Sequence, residues 1–367
     1  MAGERKPSYD ITVIPGDGIG REIIPEMLRV VEATGVHVRW DQHEAGQYAL
    51  GKSGNPLPEA TLASLRRTGV GIKGPTGTPI GSGFRSVNVA MRQYLNLFAC
   101  VRPVKYLPGV SSPLKNPEGI DYVIIRENTE DLYAGIEFER DKPVTRMLMQ
   151  LLRKTTGKAI ALDSAIAIKP ISASASDRIV RYAFEHAKSA GRTKVTAVTK
   201  SNIMKFTDGL FLERFRQAAT GYPGVEAQEM LVDNFNQQIQ IWPQQFQVAV
   251  MPNLYGDIIS DGAAATVGGL GVVPGANIGD TCALFEAVHG TAPDIAGKGV
   301  ANPTAILLSA AMMLRHIGEK AAGDSLDDAV ARLLADGSVR TGDLIPRNER
   351  GKAATTKEYT DAVISKL

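Results

Sequence analysis

The turn at residues 15–20 constrains the fold most, because it defines a strand-to-helix unit that then recurs along the chain. Ile11-Thr-Val-Ile14 is a short β-type run and Pro15-Gly16-Asp17-Gly18 stops it; Ile23, Ile24, Met27, Leu28 and Val31 then fall on one stripe of a helix. The alternation continues with a strand at 36–40, a helix at 58–67 stopped by Gly69, a strand at 70–72 and a helix at 87–95. Further strands are expected at 122–125, 193–198 and 248–251, and helices at 177–190, 209–218, 301–318 and 324–334. Strands alternating with helices predict α/β layers around a largely parallel sheet. Two segments, 131–139 and 159–168, are strand-like with no convincing helix beside them, and predict an antiparallel excursion such as an arm.

A length of 367 residues predicts two or three domains at roughly 150 residues each. The 41 basic and 39 acidic residues nearly cancel, so a nucleic-acid partner held by bulk charge is not expected. Cys100 and Cys282 cannot form a disulfide framework or a zinc knuckle, which fits a reducing compartment. The N-terminal MAGERKPSYD lacks the apolar stretch of a secretory signal. The longest apolar run, 305–314, is too short to span a bilayer, so no membrane partner is expected. These features predict a cytoplasmic protein, or one of the mitochondrial matrix after removal of a transit peptide.

Gly16-Asp-Gly18-Ile-Gly20 resembles a dinucleotide fingerprint at first sight. The third small residue would fall on Arg21, which would hold helix and strand apart where the fingerprint needs them close. The expectation is a tight turn that needs glycine dihedrals, or a ligand-facing loop of another fold.

Three clusters carry chemistry. In Ser86-Val-Asn88-Val-Ala-Met-Arg92, Ser86 is a natural N-cap, and Asn88 and Arg92 share a helix face. Exposed N–H groups at a helix start favour anions. Arg102 and Arg126 each follow an apolar strand, where open α/β sheets place ligands. Three arginine forks suit a substrate with more than one carboxylate. Asp257 and Asp261 stand one turn apart among apolar neighbours, and form either a solvated acidic face or a site for Mg²⁺ or Mn²⁺, with Asp233 a candidate third ligand. His289-Gly290-Thr291-Ala292-Pro-Asp294-Ile295, with Asn302 beyond it, is either a surface loop or a wrapping for an adenosine moiety.

Together these segments resemble the β-decarboxylating dehydrogenases, the family of isocitrate, 3-isopropylmalate, homoisocitrate and tartrate dehydrogenases. The likeness covers essentially the whole chain and is most specific at Asn253-Leu-Tyr-Gly-Asp257-Ile-Ile-Ser-Asp261-Gly, Gly268-Gly-Leu-Gly271 and Gly275-Ala-Asn-Ile278. It implies a non-Rossmann, isopropylmalate dehydrogenase-like α/β/α sandwich. A large cofactor domain (1–97 and 268–367) would hold an inserted small domain (98–130 and 176–267), with a clasp-like arm (131–175) gripping the partner in a homodimer.

Arg85-Ser86-Val-Asn88-Val-Ala-Met-Arg92 resembles the isocitrate version of the specificity segment. The resemblance implies NAD-linked oxidative decarboxylation of isocitrate. Ser86, Asn88, Arg92, Arg102 and Arg126 would bind substrate. Tyr133 and Lys200 would be catalytic, and Asp233, Asp257 and Asp261 would hold Mg²⁺ or Mn²⁺. Lys200 and Asp233 would come from the partner subunit. Thr78, Glu286, His289, Gly290, Thr291, Ala292, Asp294, Ile295 and Asn302 would hold the cofactor. Asp294 stands where NADP-type bacterial relatives carry a lysine, and so implies NAD. The four cations, a divalent metal, three aspartates and a tricarboxylate balance to zero, whereas a dicarboxylate leaves one uncompensated positive charge. Other substrates of the family, and a silent regulatory subunit, are the competing expectations.

Overall fold

The computed structural model describes residues 8–78 and 86–367, with Arg347 described by its backbone alone. Arg85 lies outside them. In chain order the strands are β1 (Tyr9–Ile14), β2 (Val38–Gln42), β3 (Val70–Lys73), β4 (Ala99–Lys105), β5 (Asp121–Glu127), β6 (Glu137–Phe138), β7 (Ile166–Ala167), β8 (Lys194–Thr199), β9 (Glu226–Leu231), β10 (Val248–Met251), β11 (Pro274–Ile278) and β12 (Ala283–Ala287). The helices are α1 (Gly20–Ala33), α2 (Gln47–Ser53), α3 (Glu59–Thr68), α4 (Val87–Tyr94), α5 (Pro143–Thr156), α6 (Ala173–Ser189), α7 (Thr207–Ala219), α8 (Val232–Ile241), α9 (Asn253–Thr266), α10 (Thr304–His316), α11 (Lys320–Asp336) and α12 (Thr356–Ile364).

Ten strands form one sheet in the order β2-β1-β3-β12-β11-β4-β5-β10-β8-β9. The expectation of a largely parallel sheet holds on both flanks and fails in the middle. There β11 runs antiparallel to β12 and to β4, and β4 antiparallel to β5. The physical reason is local: β11 and β12 are joined by a tight turn in which the Gly279 N–H donates to the Cys282 carbonyl at 2.8 Å, and a hairpin makes an antiparallel pair.

Period-two alternation sorts the strand side chains between the two faces of the sheet. Ile11, Val13, Ile72, Val101, Ala276 and Phe285 enter the larger core with α1 and α10, while Ile14 and Leu284 join Leu62, Leu65, Val87 and Met91 from α3 and α4. Helices thus cover both faces, giving an α/β/α sandwich without the all-parallel Rossmann sheet. Gly16 and Gly18 have φ of 71° and 54°, as the tight-turn reading required. A Cβ on Gly18 would lie 2.1 Å from the Thr291 carbonyl oxygen, so the turn also backs directly onto the 289–302 loop.

The irregular segments do meet as an antiparallel pair, β6 with β7, in a separate two-stranded sheet. The structure corrects two details. Asp131–Ala134 is a 3₁₀ turn, and a 14-residue helix, α5, lies between the two strands. Only Thr145 and Met149 of α5 are buried, while Val144, Met147 and Leu151 point outward. The apolar stripe of α5 therefore faces away from this chain's core. Among the described residues no helix is long and apolar enough to cross a membrane.

Candidate active site

The floor of the site follows from strand register. Residues opposite one another in antiparallel pairs share a face, so Asn277 of β11, Cys100 of β4 and Arg126 of β5 form one row. Arg102 lies two residues beyond Cys100 on the same side. Arg102 is therefore not at the end of its strand, as the sequence reading had it, but in the middle of β4. Antiparallel pairing brings it beside Arg126, which is near the end of β5. A second row joins Lys73 of β3, Glu286 of β12 and Gly275 of β11.

Helix α9 lies across this floor. A Cβ on Gly256 would come within 2.4 Å of the Arg126 side chain, so glycine alone permits the approach. Arg126, 1% exposed, donates from Nε and Nη2 to Asn253 Oδ1 at 2.9 and 2.7 Å, and pairs through Nη1 with Asp257. Arg102 donates to Ser260 and, at 3.1 Å, to Asp261. The Tyr133 hydroxyl donates to Asp257. The expected i, i+4 aspartates thus share one helix face with cations set against them.

Helix α4 closes another side. Ser86 caps it, accepting from the Val89 N–H at 3.4 Å, and Asn88 accepts from the Thr76 hydroxyl at 2.8 Å. Arg92 is buried and donates to Glu286 at 3.0 Å, leaving its Nε without a partner. Glu286 also takes Lys73 Nζ at 2.6 Å and Asn277 Nδ2 at 2.7 Å. A cavity of about 140 Å³ lies between these groups, with Asn88, Arg92, Arg102, Asn277, Glu286 and His289 on its wall. Lys73, Asn253, Ser260 and Asn277 were not singled out from sequence. Lys73 carried a usable signal, since it follows the short strand at 70–72 as Arg126 follows 122–125.

The electrostatics shift the titratable groups of the site in different directions. Burial raises the Asp257 carboxyl, but the Arg126 charge, the Tyr133 hydroxyl and Arg102 outweigh it and hold it below the usual range. Burial raises Asp261 and the more distant Arg102 only partly offsets that, so its carboxyl sits above its ordinary value. Burial and then the bond to Asp257 push the Tyr133 phenol up. Burial would raise Glu286, but Lys73 and Arg92 drive it far down. Burial depresses the His289 imidazole, whose Nε2 is buried without a partner.

The cofactor candidates spread from this cavity along one loop. His289 and Gly290 line it, Thr291 accepts the Ile19 N–H at 3.0 Å, and Ala292 takes a positive φ of 39°. Ile295 packs partly against the core. Asn302 donates to Asp343 at 2.9 Å. Thr78 and Asp294 are exposed, and the Asp294 carboxylate has no partner among the described residues.

Lys200 and Asp233 stand apart from the cluster. They pair with each other at 2.5 Å, with 27% and 64% of their side chains exposed, and neither side chain bonds a further side chain among the described residues. No group of three His, Cys, Asp or Glu that could hold a metal occurs among those residues. Asp257 and Asp261 therefore do not meet Asp233 within one chain.

Residues 10–363 match the family model for isocitrate/isopropylmalate dehydrogenase. The chain is 44% identical to isocitrate dehydrogenase [NADP] of Thermus thermophilus, over 97% of this chain and 67% of that protein. It is 43% identical to isocitrate dehydrogenase [NAD] catalytic subunit 5, mitochondrial, of Arabidopsis thaliana, over 97% and 88%. The crystal structure of isocitrate dehydrogenase from Methylococcus capsulatus matches with a TM-score of 0.87 at 46% identity, covering 98% of this chain and 99% of that one. The chain belongs to the isocitrate/isopropylmalate dehydrogenase family.

Proposed function

We propose that the protein oxidatively decarboxylates isocitrate to 2-oxoglutarate and CO₂, reducing NAD with the help of Mg²⁺ or Mn²⁺. The observation that carries this reading is the convergence of three buried arginines, Arg92, Arg102 and Arg126, beside a capped helix start bearing Ser86 and Asn88. An alkyl substituent would leave Arg92 Nε, buried without a partner, unsatisfied and would gain nothing from Ser86 and Asn88, whereas a third carboxylate can accept hydrogen bonds there. Relatives of both NAD and NADP type support the isocitrate reading and leave the cofactor open. The choice of NAD rests on Asp294. Its unpartnered carboxylate would accept bonds from ribose hydroxyls and repel a 2′-phosphate.

The donor sets fit both absent groups. Asp257 and Asp261 offer hard oxygen ligands to a divalent ion, with Asp233 of a second copy as the third. Arg92 Nε and His289 Nε2, buried without partners, are aimed at a ligand that would satisfy them. When bound, the ion supplies Lewis-acid polarisation of the substrate hydroxyl, and NAD supplies the hydride acceptor.

The chain's own residues position carboxylates and move protons. Arg92 and Arg102 on the cavity wall, with the buried Arg126 beside Arg102, hold the substrate's carboxylates where burial makes their charges count for more than in water. Lys200, paired with Asp233 and presented by a second copy, helps to remove the hydroxyl proton, which passes to an aspartate or to water. Tyr133, kept protonated by its raised pKa, returns a proton to C3 after CO₂ leaves. The second copy would cover the exposed Val144, Met147 and Leu151 of the arm together with Phe206 and Ile258. We take 1–97 with 268–367 as the large domain and 98–130 with 176–267 as the small one. A cytoplasmic setting fits the two free, buried cysteines.

The test is a kinetic panel of isocitrate, homoisocitrate, 3-isopropylmalate and tartrate, each with NAD and NADP. Isocitrate with NAD is expected to give the highest kcat/KM. A higher value for another acid overturns the substrate, and a higher value with NADP overturns the cofactor.

A further inference from the structure

Beneath Lys200 lies a polar knot that the proposed chemistry does not use. Asp208, in the first turn of α7, has a side chain 0% exposed, and so has Asp131 at the root of the arm. Lys169, from the returning end of the arm, donates to Asp208 Oδ1 at 2.6 Å and lies 3.9 Å from Asp131 Oδ1. Its ammonium also sits 4.6 Å from the centre of the Tyr255 ring. The other oxygen of Asp208 accepts the backbone N–H of Lys200 at 2.6 Å and the Tyr255 hydroxyl at 3.0 Å. Asp131 Oδ2 accepts the Leu254 N–H at 2.9 Å, in the first turn of α9. Asp131 holds a φ of 68°, a conformation that needs such support.

Three separate elements therefore end on one buried ion pair. The turn that presents Lys200 hangs from one oxygen of Asp208. The helix that carries Asp257 and Asp261 hangs from Tyr255 and Leu254. The arm supplies the cation that holds both carboxylates in place. Two buried carboxylates this close repel each other unless a cation lies between them, and Lys169 is the only side-chain cation bonded or paired to either one among the described residues.

We propose that Lys169 and Asp208 are positioning residues for the catalytic lysine. They fix the Lys200 turn relative to the aspartate helix and the arm, so their loss falls on turnover more than on substrate affinity. This rests on the isocitrate dehydrogenase reading, because it takes Lys200 as the residue that helps remove the hydroxyl proton. Displacing a catalytic group by about 1 Å costs up to about 100-fold in rate. Since α9 and the arm are the parts offered to a second copy, the knot also links the half-site a chain keeps to the lysine it lends.

The experiment compares Lys169→Met, Lys169→Arg, Asp208→Asn and Tyr255→Phe with the wild type in the full-length protein. It measures kcat and isocitrate KM at saturating Mn²⁺ and NAD, the thermal midpoint, and the rate of tryptic cleavage in the arm. Lys169→Met and Asp208→Asn are expected to lower kcat about 10- to 100-fold with isocitrate KM within about 3-fold. Lys169→Arg is expected to restore most of the loss, and Lys169→Met to speed cleavage in the arm. Wild-type kcat in Lys169→Met overturns the proposal, as does a kcat loss matched by an equal rise in KM. If Lys169→Met or Asp208→Asn does not fold, Tyr255→Phe decides, since it removes one hydroxyl. A kcat drop of about 3-fold at constant KM supports the proposal, and an unchanged kcat overturns it. A wild type inactive on isocitrate sinks the functional reading instead. The arm-cleavage rates then decide whether the knot fixes the arm, with equal rates in Lys169→Met and wild type overturning that part.

Discussion

Two lysine–carboxylate pairs of similar length lie in very different places. Lys73 meets Glu286 at 2.6 Å with 1% and 11% of their side chains exposed; Lys200 meets Asp233 at 2.5 Å with 27% and 64% exposed. Glu286 has three donors, Lys73, Arg92 and Asn277, all within one chain. Asn277 in turn accepts from Asn128 at 2.9 Å, so the buried pair is anchored in a network across β3, β12, β11 and the residue that follows β5. The exposed pair has no such backing for its side chains, and Asp233 is lowered by little besides its bond to Lys200. One pair belongs to a finished wall. The other keeps its side chains open to further partners, which is what the proposal of a site shared between two copies rests on.

If that contrast is right, substitution separates stability from catalysis. The largest effect is expected from Lys200→Met. Turnover should fall about 10²- to 10⁴-fold, the range for loss of a general acid or base, with the thermal midpoint unchanged. A midpoint that drops along with activity would make the exposed pair structural and break the comparison.

Lys73→Met should act in the opposite sense. It strands part of the Glu286 charge in a buried wall, and breaking a buried pair from one side costs about 3–5 kcal/mol of stability, measurable by urea unfolding. The depressed pKa of Glu286 fixes the pH course. The stabilisation is fully present above the unfolded carboxylate pKa near 4.5 and is lost as pH falls toward the much lower folded value. The cost of Lys73→Met should therefore shrink only in strong acid. A wild-type unfolding free energy in Lys73→Met at pH 7 would sink this assignment.

The same contrast explains what the sequence made legible. Arg92, Arg126, Ser86, Asn88 and the i, i+4 aspartates could be found because each sits on a local pattern, a strand end, a cap or a helix face, while Arg102 was found because it follows an apolar run, though its strand continues past it. Their assembly depended on register, which no local pattern prints. Arg102 reached Arg126 through antiparallel pairing in a sheet expected to be largely parallel. Strand β11 was hidden because Pro274-Gly-Ala-Asn-Ile278 has the composition of a loop. Its small residues serve close approach instead: a Cβ on Gly275 would lie 3.1 Å from the Glu286 carbonyl oxygen. Helix α5 has clear apolar periodicity of its own, and structure alone shows that the stripe of Val144, Met147 and Leu151 faces away from this chain's core.

The smallest effect tests the aspartate helix itself. Burial raises the Asp261 carboxyl above its unfolded value, so at pH 7 the folded protein without its metal holds a charge that folding disfavours. A raised carboxylate pKa costs stability above that pKa, and the cost vanishes once the group is protonated in both states. Asp261→Asn should therefore stabilise the metal-free protein slightly at pH 7, by about 0.5 kcal/mol or less because the side chain is half exposed and screened. The gain should fade as pH drops through the carboxylate range. The same variant should bind Mn²⁺ in the presence of isocitrate more weakly than wild type, read by calorimetry. Asp257→Asn should differ in sign. Its carboxyl is held below the usual range by Arg126, so the neutral amide should destabilise the metal-free protein while weakening the metal as well. Two variants one helical turn apart that moved stability in the same direction would show that the two carboxylates do not divide the work of charge compensation and metal binding in this way.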